Sequence, residues 1–227
     1  MTPGQIYAEA RTRLSDLVRS MPDDQLATTV PATPKWTVKD VIAHLVGGPT
    51  DLLDGVFGGP AGIDEWTANH VNARKDKSLD EVLDEWAAIS PKVEQALDAE
   101  GSRLVVLVAD LVTHEQDVRN ATGNQGARDT NGIDWTLQFF TGHVGNRLKE
   151  AGTPALRIHA GKDEWLLGGE GDSEPAATLD LDEYELVRGM VGRRSEAQIR
   201  SWRWQGDPEP YLPYLSVFPF PVSDLLE

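Results

Sequence analysis

The sequence of 227 residues contains no cysteine and no apolar run approaching the roughly 18 residues of a membrane-spanning helix. The missing cysteines exclude disulfides, thiolate metal ligands and a cysteine nucleophile, so any thiol chemistry would need an external thiol. The N-terminus also lacks the basic region and apolar core of a secretory signal. We therefore expect a soluble, cytoplasmic protein with no membrane partner.

Basic residues are also scarce. Lysine and arginine total 21 against 37 aspartates and glutamates, which gives a formal net charge of -16. A nucleic-acid backbone or an anionic membrane would be repelled over most of such a surface, so we expect small-molecule partners. The length and the apolar content of 40% allow one large domain or two modest ones. We predict two unequal domains, residues 1–152 and 153–227, in a monomer or weak homodimer.

The first predicted domain has helical periodicity. Thr37 and Ser78 each precede an apolar helical stripe, and Asp40 and Glu81 stand three residues later, as in a capping box. The Gly58-Gly59-Pro60 cluster interrupts the pattern, and a polar connection carrying Trp66, His70 and Arg74 is predicted to follow it.

Two further segments complete the predicted helical bundle. Residues 104–112 have the local propensity of a strand, but their pattern runs on to Ala121 and stops at Gly123, which favours a buried helix. Residues 133–150 predict another bundle helix. From Ala155 the pattern changes to short strands at 156–160, 164–167 and 176–181, followed by helices at 182–191 and 195–204 and an extended tail from Tyr211. The predicted fold class is therefore α+β.

Two motifs in the bundle indicate a metal site. Trp36-Thr-Val-Lys-Asp-Val-Ile-Ala-His44-Leu carries one histidine, and Asp110-Leu-Val-Thr-His114-Glu-Gln-Asp117 carries an acid and a second histidine. Asp110 and His114 are spaced i and i+4, so they lie on the same face of a helix. With His44 they offer two imidazoles and one carboxylate, which suits zinc or a similar divalent ion with a coordination position left open.

The residues alone leave alternatives open. Asp110 could sit on a polar helix edge and merely pair with His114, Asp117 fits an outer hydrogen-bond acceptor or an alternative ligand, and His143 is a rival third ligand. Glu115 is expected to face solvent. His70 and His159 are expected to be structural or exposed.

Gly192-Arg193-Arg194-Ser195 joins the last two predicted helices. Its guanidinium groups could bind an anionic group near a helix N-terminus, or they could form surface salt bridges.

The paired motifs resemble those of the mycothiol-dependent maleylpyruvate isomerase-like family, within the DinB-like metal-binding superfamily. The resemblance covers roughly residues 3–150, and the region around Gly192 to Ser195 is similar to a small C-terminal domain of the sterol carrier protein type. It implies that His44, Asp110 and His114 bind a divalent metal, most simply zinc. In this family the acid is often glutamate. The side chain of Asp110 is shorter by one methylene, so its carboxylate lies closer to the helix backbone.

The resemblance further implies an enzyme that uses mycothiol as its thiol cofactor. The metal would lower the pKa of the thiol, and the thiolate would attack a small electrophile, such as a maleylpyruvate-like compound, in an isomerase or S-transferase reaction. Arg193 or Arg194 would then hold a substrate carboxylate as catalytic residues, with Arg74 as a further candidate. A non-catalytic metal- or ligand-binding stress-response protein and a metal-free interaction scaffold are the alternatives.

Overall fold

The computed structural model of the protein describes residues 1–58, 62–170 and 173–227. The chain divides into two compact units, Met1–Ala127 and Arg128–Glu227. The α+β class predicted from the sequence is confirmed, because helices make up the first unit and the second combines helices with a four-stranded sheet.

Helices form the first unit. They are α1 (Pro3–Arg19), α2 (Asp23–Leu26), α3 (Val38–Leu53), α4 (Ile63–Asn72), α5 (Leu79–Leu97), a 3₁₀ turn (Arg103–Val105) and α6 (Val106–Ala121). Helices α1, α3, α5 and α6 pack together, and α4 lies against α3. The fully buried side chains between them include Leu14, Val18, Ile42, Val46, Trp86 and Leu111.

The predicted helix starts are confirmed. The Thr37 and Ser78 side chains accept from the backbone N–H of Asp40 and Glu81, and each acidic side chain accepts in return from the backbone N–H of its capping residue. These reciprocal bonds satisfy N–H groups that a helix terminus otherwise leaves unpaired. They fix where α3 and α5 begin, and the register of α3 determines which way His44 faces.

Helix α6 confirms the choice of helix over strand for the apolar segment around residue 108. The helix runs from Val106 to Ala121, and Gly123 follows with φ of +68°, a conformation that glycine adopts without strain. Asp110 and His114 therefore lie on consecutive turns of one helix.

The segment predicted as a polar connection contains helix α4 instead. Its sequence, Ile63-Asp-Glu-Trp-Thr-Ala-Asn-His-Val-Asn72, is mostly polar, and its N-cap Gly62 forms no side-chain cap, so the usual start signal is missing. Packing against α3 stabilises it, as tertiary contacts do for many helices of weak propensity. The predicted break at Gly59 and Pro60 lies outside the described residues.

The second unit comprises α7 (Asn131–Glu150), β1 (Leu156–Ala160), β2 (Asp163–Leu167), β3 (Ala177–Leu181), α8 (Glu183–Met190), α9 (Glu196–Arg200), β4 (Arg203–Gln205) and α10 (Leu212–Leu215). Its sheet has the order β2-β1-β3-β4, in which β1 and β3 are parallel and the other pairs antiparallel. Helix α7 packs against α8 and β2.

Three expectations for this region differ from the structure. The units divide before α7, whereas the sequence suggested a boundary after it at residue 152, because α7 covers the sheet unit. The helix predicted for 195–204 ends at Arg200, and residues 203–205 pair with β3 as an edge strand. The tail from Tyr211 also includes one short helical turn, α10, with proline in its first turn, where proline is tolerated.

None of the described helices is both long enough and apolar enough to cross a membrane.

Candidate metal centre

Helices α3 and α6 bring the three predicted ligands together. His44 lies on α3, and Asp110 and His114 lie one turn apart on α6. Each residue offers one ligand atom, and the three atoms lie within 4.8 Å of one another. Within the described ranges, no other group of three histidines or acids is arranged in this way.

The interatomic distances test whether these residues fit a metal ion. His44 Nε2 lies 3.4 Å from Asp110 Oδ2, and His114 Nε2 lies 3.6 Å from Asp110 Oδ1. Two ligands bound to zinc at about 2.1 Å in a tetrahedral arrangement stand roughly 3.4 Å apart. The two nitrogen–oxygen distances, each to a different oxygen of Asp110, are close to this value, and the donor set suits zinc.

The site is enclosed on its histidine side and more open at its acid. The His44 and His114 residues are each 6% exposed, whereas Asp110 is only half-buried. Trp36 covers the two rings, with centroid distances of 4.9 Å to His44 and 6.2 Å to His114. A ligand approaching beside Asp110 would meet a site shielded from water on its other side.

Asp117 lies beside the ring nitrogen of His114 that faces away from Asp110. Its Oδ2 is 2.9 Å from His114 Nδ1, although this contact lacks hydrogen-bond geometry. The Asp117 side chain is fully buried. A carboxylate in this position favours the tautomer with the proton on Nδ1, which leaves the Nε2 lone pair for a metal. The expected role of Asp117 as an outer acceptor fits this arrangement better than a role as ligand.

His70 is a neighbour of the site that was not expected from the sequence. Its Nδ1 lies 3.2 Å from Nδ1 of His44, and its Nε2 lies 3.1 Å from Oδ2 of Asp51. The Trp66 Nε1–H donates to the same Asp51 oxygen at 2.7 Å. A signal was present, because Trp66 and His70 are spaced i and i+4 behind acidic residues typical of a first helical turn.

Burial lowers the pKa of His70 below its ordinary value of 6.5, and the neighbouring His44 lowers it further, while Asp51 acts in the opposite direction. A neutral His70 follows at neutral pH. Arg74, a further candidate for binding a substrate carboxylate, forms an ion pair with Glu85 and donates to the backbone carbonyl oxygen of His70. It therefore holds α4 in place from inside the protein.

The expectation that Glu115 faces solvent is wrong. Its side chain is only 1% exposed and lies between two guanidinium groups, with Arg13 Nη2 and Arg119 Nη2 each 2.9 Å from its oxygens. A buried carboxylate needs such partners. Glu115 thereby ties α1 to α6 and is already engaged by charged donors.

The other histidines lie in the second unit. His143 is exposed, its Nδ1 lies 2.9 Å from the Phe139 carbonyl oxygen, and it is not among the three grouped side chains. His159 is partly exposed on β1, with Nδ1 2.8 Å from Oδ1 of Asp180. The geometry therefore offers His44, and not His143, as the third ligand.

The arginines predicted as catalytic also lie in the second unit. Arg194 is buried, and its guanidinium donates to both Glu185 and Glu227. Arg193 donates from Nη1 to the Val191 carbonyl oxygen. Arg188, which the sequence did not single out, is fully buried and pairs with Glu227. The sequence suggested surface salt bridges as an alternative for these arginines, but the salt bridges of Arg194 are buried.

The first unit is similar to a known protein family. Residues 7–119 match the family model described as "Mycothiol maleylpyruvate isomerase N-terminal domain". The matched range contains all three grouped side chains together with Asp51, His70 and Asp117. No curated protein and no solved structure matches the chain.

Proposed function

We propose that the protein is a metal-dependent enzyme that uses mycothiol. The premise is its family, because residues 7–119 belong to the mycothiol maleylpyruvate isomerase N-terminal domain family. His44, Asp110 and His114 would hold the ion, and zinc is the ion we propose. The observation that carries the proposal is the grouping of these three ligand atoms within 4.8 Å on two helices of the matched domain.

Bound zinc would supply a positive charge that stabilises a thiolate near neutral pH. The residues of the chain provide what surrounds it. Trp36 shields the two imidazole rings from water, and Asp117 orients one of them. The chain has no cysteine, so the thiol would be the external cofactor.

The proposed reaction class is attack of this thiol on a small electrophile, such as a maleylpyruvate-like compound. Elimination of the thiol after rotation about the former double bond would make the protein an isomerase, and retention of the new C–S bond would make it an S-transferase. Arg193 and Arg194 are proposed to hold a substrate carboxylate, which at Arg194 would compete with Glu185 and Glu227. We place this chemistry in the cytoplasm, in a monomer or weak homodimer that binds neither nucleic acid nor membrane.

The first test is the metal content of protein purified without chelator or nickel affinity, for the wild type and the variants His44→Ala and His114→Ala. His143→Ala is the matched control, because this exposed histidine lies in the second unit. We expect about one zinc-like ion per chain in the wild type and the control, and none in either ligand variant.

The second test incubates metal-loaded wild type with mycothiol and maleylpyruvate and then with other small electrophiles. Conversion that is lost in His44→Ala supports the enzyme. Metal binding without any turnover supports instead the non-catalytic metal-binding alternative. A wild type that binds no metal even after reloading contradicts the proposal.

A further inference from the structure

A chain of four side chains leads from the metal centre to the edge of α4. His44 Nδ1 faces Nδ1 of His70 at 3.2 Å, His70 Nε2 faces Asp51 Oδ2 at 3.1 Å, and Trp66 Nε1–H donates to that oxygen at 2.7 Å. Both imidazole rings are buried, whereas Asp51 is only half-buried. These contacts lie entirely within the first unit, and they involve Nδ1 of His44, whereas Asp110 lies beside Nε2.

The direction of the hydrogen bonds follows from the end of this chain. The Trp66 indole nitrogen can only donate, so Asp51 Oδ2 is an acceptor. His70 then places its proton on Nε2, facing Asp51, and in a neutral imidazole its Nδ1 becomes the acceptor. Two facing ring nitrogens cannot both carry protons in one hydrogen bond, so the proton between the rings belongs to His44 Nδ1. His44 is left with a lone pair on Nε2, the atom that faces Asp110 at 3.4 Å.

The other histidine of the site is oriented in a comparable way, although its outer contact lacks hydrogen-bond geometry. His114 also turns Nε2 toward Asp110 and Nδ1 toward an outer partner, which there is Asp117. Outer partners of this kind fix the tautomer and ring orientation of metal-binding histidines. For His44 the outer carboxylate is that of Asp51, which acts through the imidazole of His70.

We infer that His70 and Asp51 are positioning residues, which fix His44 in the tautomer with Nδ1 protonated and Nε2 directed at the metal position. The inference rests on the proposed function in one respect, namely that His44 is a metal ligand. The tautomer itself is a property of the metal-free protein. It can therefore be tested whether or not the protein binds metal.

The experiment uses the full-length chain, labelled with ¹⁵N-histidine and freed of metal, near neutral pH. Two-bond ¹H–¹⁵N correlation spectra distinguish the two neutral tautomers, and His44→Ala assigns the His44 signals. The variants are His70→Leu, Asp51→Ala and the conservative Asp51→Asn, whose amide oxygen can still accept from His70 and Trp66. Zinc dissociation constants are measured in parallel by competition with a chromophoric chelator.

In the wild type we expect His44 to carry its proton on Nδ1. In His70→Leu and Asp51→Ala we expect this tautomer to lose its dominance, and zinc binding to weaken by about 10- to 100-fold. Asp51→Asn should retain the wild-type tautomer and bind zinc more tightly than Asp51→Ala. A purely structural role of Asp51 would not produce this tautomer shift and its rescue.

His159→Leu is the matched control, because His159 also has a carboxylate partner but lies in the second unit. It should change neither the His44 tautomer nor the zinc affinity. A wild-type His44 protonated on Nε2 would overturn the inference, and so would folded Asp51→Ala with an unchanged His44 tautomer. If His70→Leu fails to fold, the wild-type spectrum and the two Asp51 variants still test whether Asp51 fixes the His44 tautomer. Absence of zinc binding in the wild type would overturn the proposed function only, since the tautomer still tests the positioning role.

Discussion

Asp117 Oδ2 lies 2.9 Å from Nδ1 of His114, one turn along the same helix, and the Asp117 side chain has no exposure to solvent. The carboxylate thus lies on the far side of the His114 ring from Asp110. Removing it would leave the ring less well oriented and less basic at Nε2.

We therefore predict that Asp117→Ala weakens zinc binding by about 10- to 100-fold without removing a ligand. Asp117→Asn, which keeps an acceptor oxygen, should weaken it less. Zinc competition titration measures both effects, and Asp84→Ala on the exposed face of α5 serves as the control. Equal zinc affinity in wild type and folded Asp117→Ala would show that this carboxylate does not support the site.

Two adjacent glycines of α3 face the ring of His70 at very different distances. A Cβ atom added at Gly47 would lie 2.4 Å from His70 Cβ, whereas one added at Gly48 would lie no closer than 3.8 Å to the ring. The first is a steric overlap and the second is ordinary contact. The missing side chain at Gly47 is what allows α4 to bring His70 against α3.

Gly47→Ala is therefore predicted to destabilise the first unit and to displace His70 from His44. Gly48→Ala should instead be neutral or stabilising by up to about 1 kcal/mol, because alanine loses less backbone entropy in a helix. Chemical denaturation of both variants, followed by Trp fluorescence, measures the difference. Equal stability of the two variants would mean that α4 can shift away from α3 at little cost.

These glycines illustrate what the sequence could predict and what it could not. The i, i+4 spacing of Asp110 and His114 and the capping box at Thr37 are local patterns, so the ligands and the helices that carry them were predictable. The contact of His70 with His44 depends on a close approach between α3 and α4. No local pattern encodes that approach, and α4 has neither a capping side chain nor a strong apolar stripe.

The burial of Glu115 and the strand β4 were unpredictable for a related reason. Glu115 is buried because Arg13, about a hundred residues earlier in the chain, reaches it from α1. Residues 203–205 lie at the end of the helix predicted for 195–204, but they pair with β3. In both cases a partner distant in sequence decides the structure, and periodicity describes only neighbours along the chain.

A polar pair lies in the core of the first unit, where Trp86 Nε1–H donates to Tyr7 Oη at 2.8 Å. Both side chains are fully buried, and burial raises the pKa of the Tyr7 hydroxyl far above its ordinary value. Tyr7→Phe would leave the indole N–H without its acceptor, so we predict a loss of about 1–3 kcal/mol of unfolding free energy. Denaturant titration measures it.

Tyr214→Phe is the matched control for that substitution, because Tyr214 is only half-buried in the second unit. It should change the free energy of unfolding by less than about 0.5 kcal/mol. A loss in Tyr7→Phe no larger than in this control would indicate that the Trp86 N–H finds another partner or water.

The second unit contains a buried ion-pair cluster whose stability should depend on pH. Burial by itself raises the pKa of Glu227, but the Arg188 and Arg194 guanidinium groups lower it more, so that it falls below the ordinary value of 4.5. A carboxylate with a depressed folded-state pKa stabilises the fold above its unfolded-state pKa. That contribution is lost as the pH falls through the lower, folded-state pKa.

Glu227→Gln keeps the shape of the side chain but leaves two buried guanidinium charges without their shared carboxylate. We predict a loss of about 3–5 kcal/mol near neutral pH, the usual cost of removing one partner of a buried pair. The difference in unfolding free energy between wild type and variant should stay constant down to about pH 4.5 and then narrow, because the wild-type carboxylate also becomes neutral.

Glu209→Gln is the control. It removes an exposed carboxylate paired with Arg200 and should have little effect at any pH. Urea titrations at several pH values measure the unfolding free energy of wild type and both variants. A difference between wild type and Glu227→Gln that widens with acid would contradict the assignment of Glu227 as the stabilising charge.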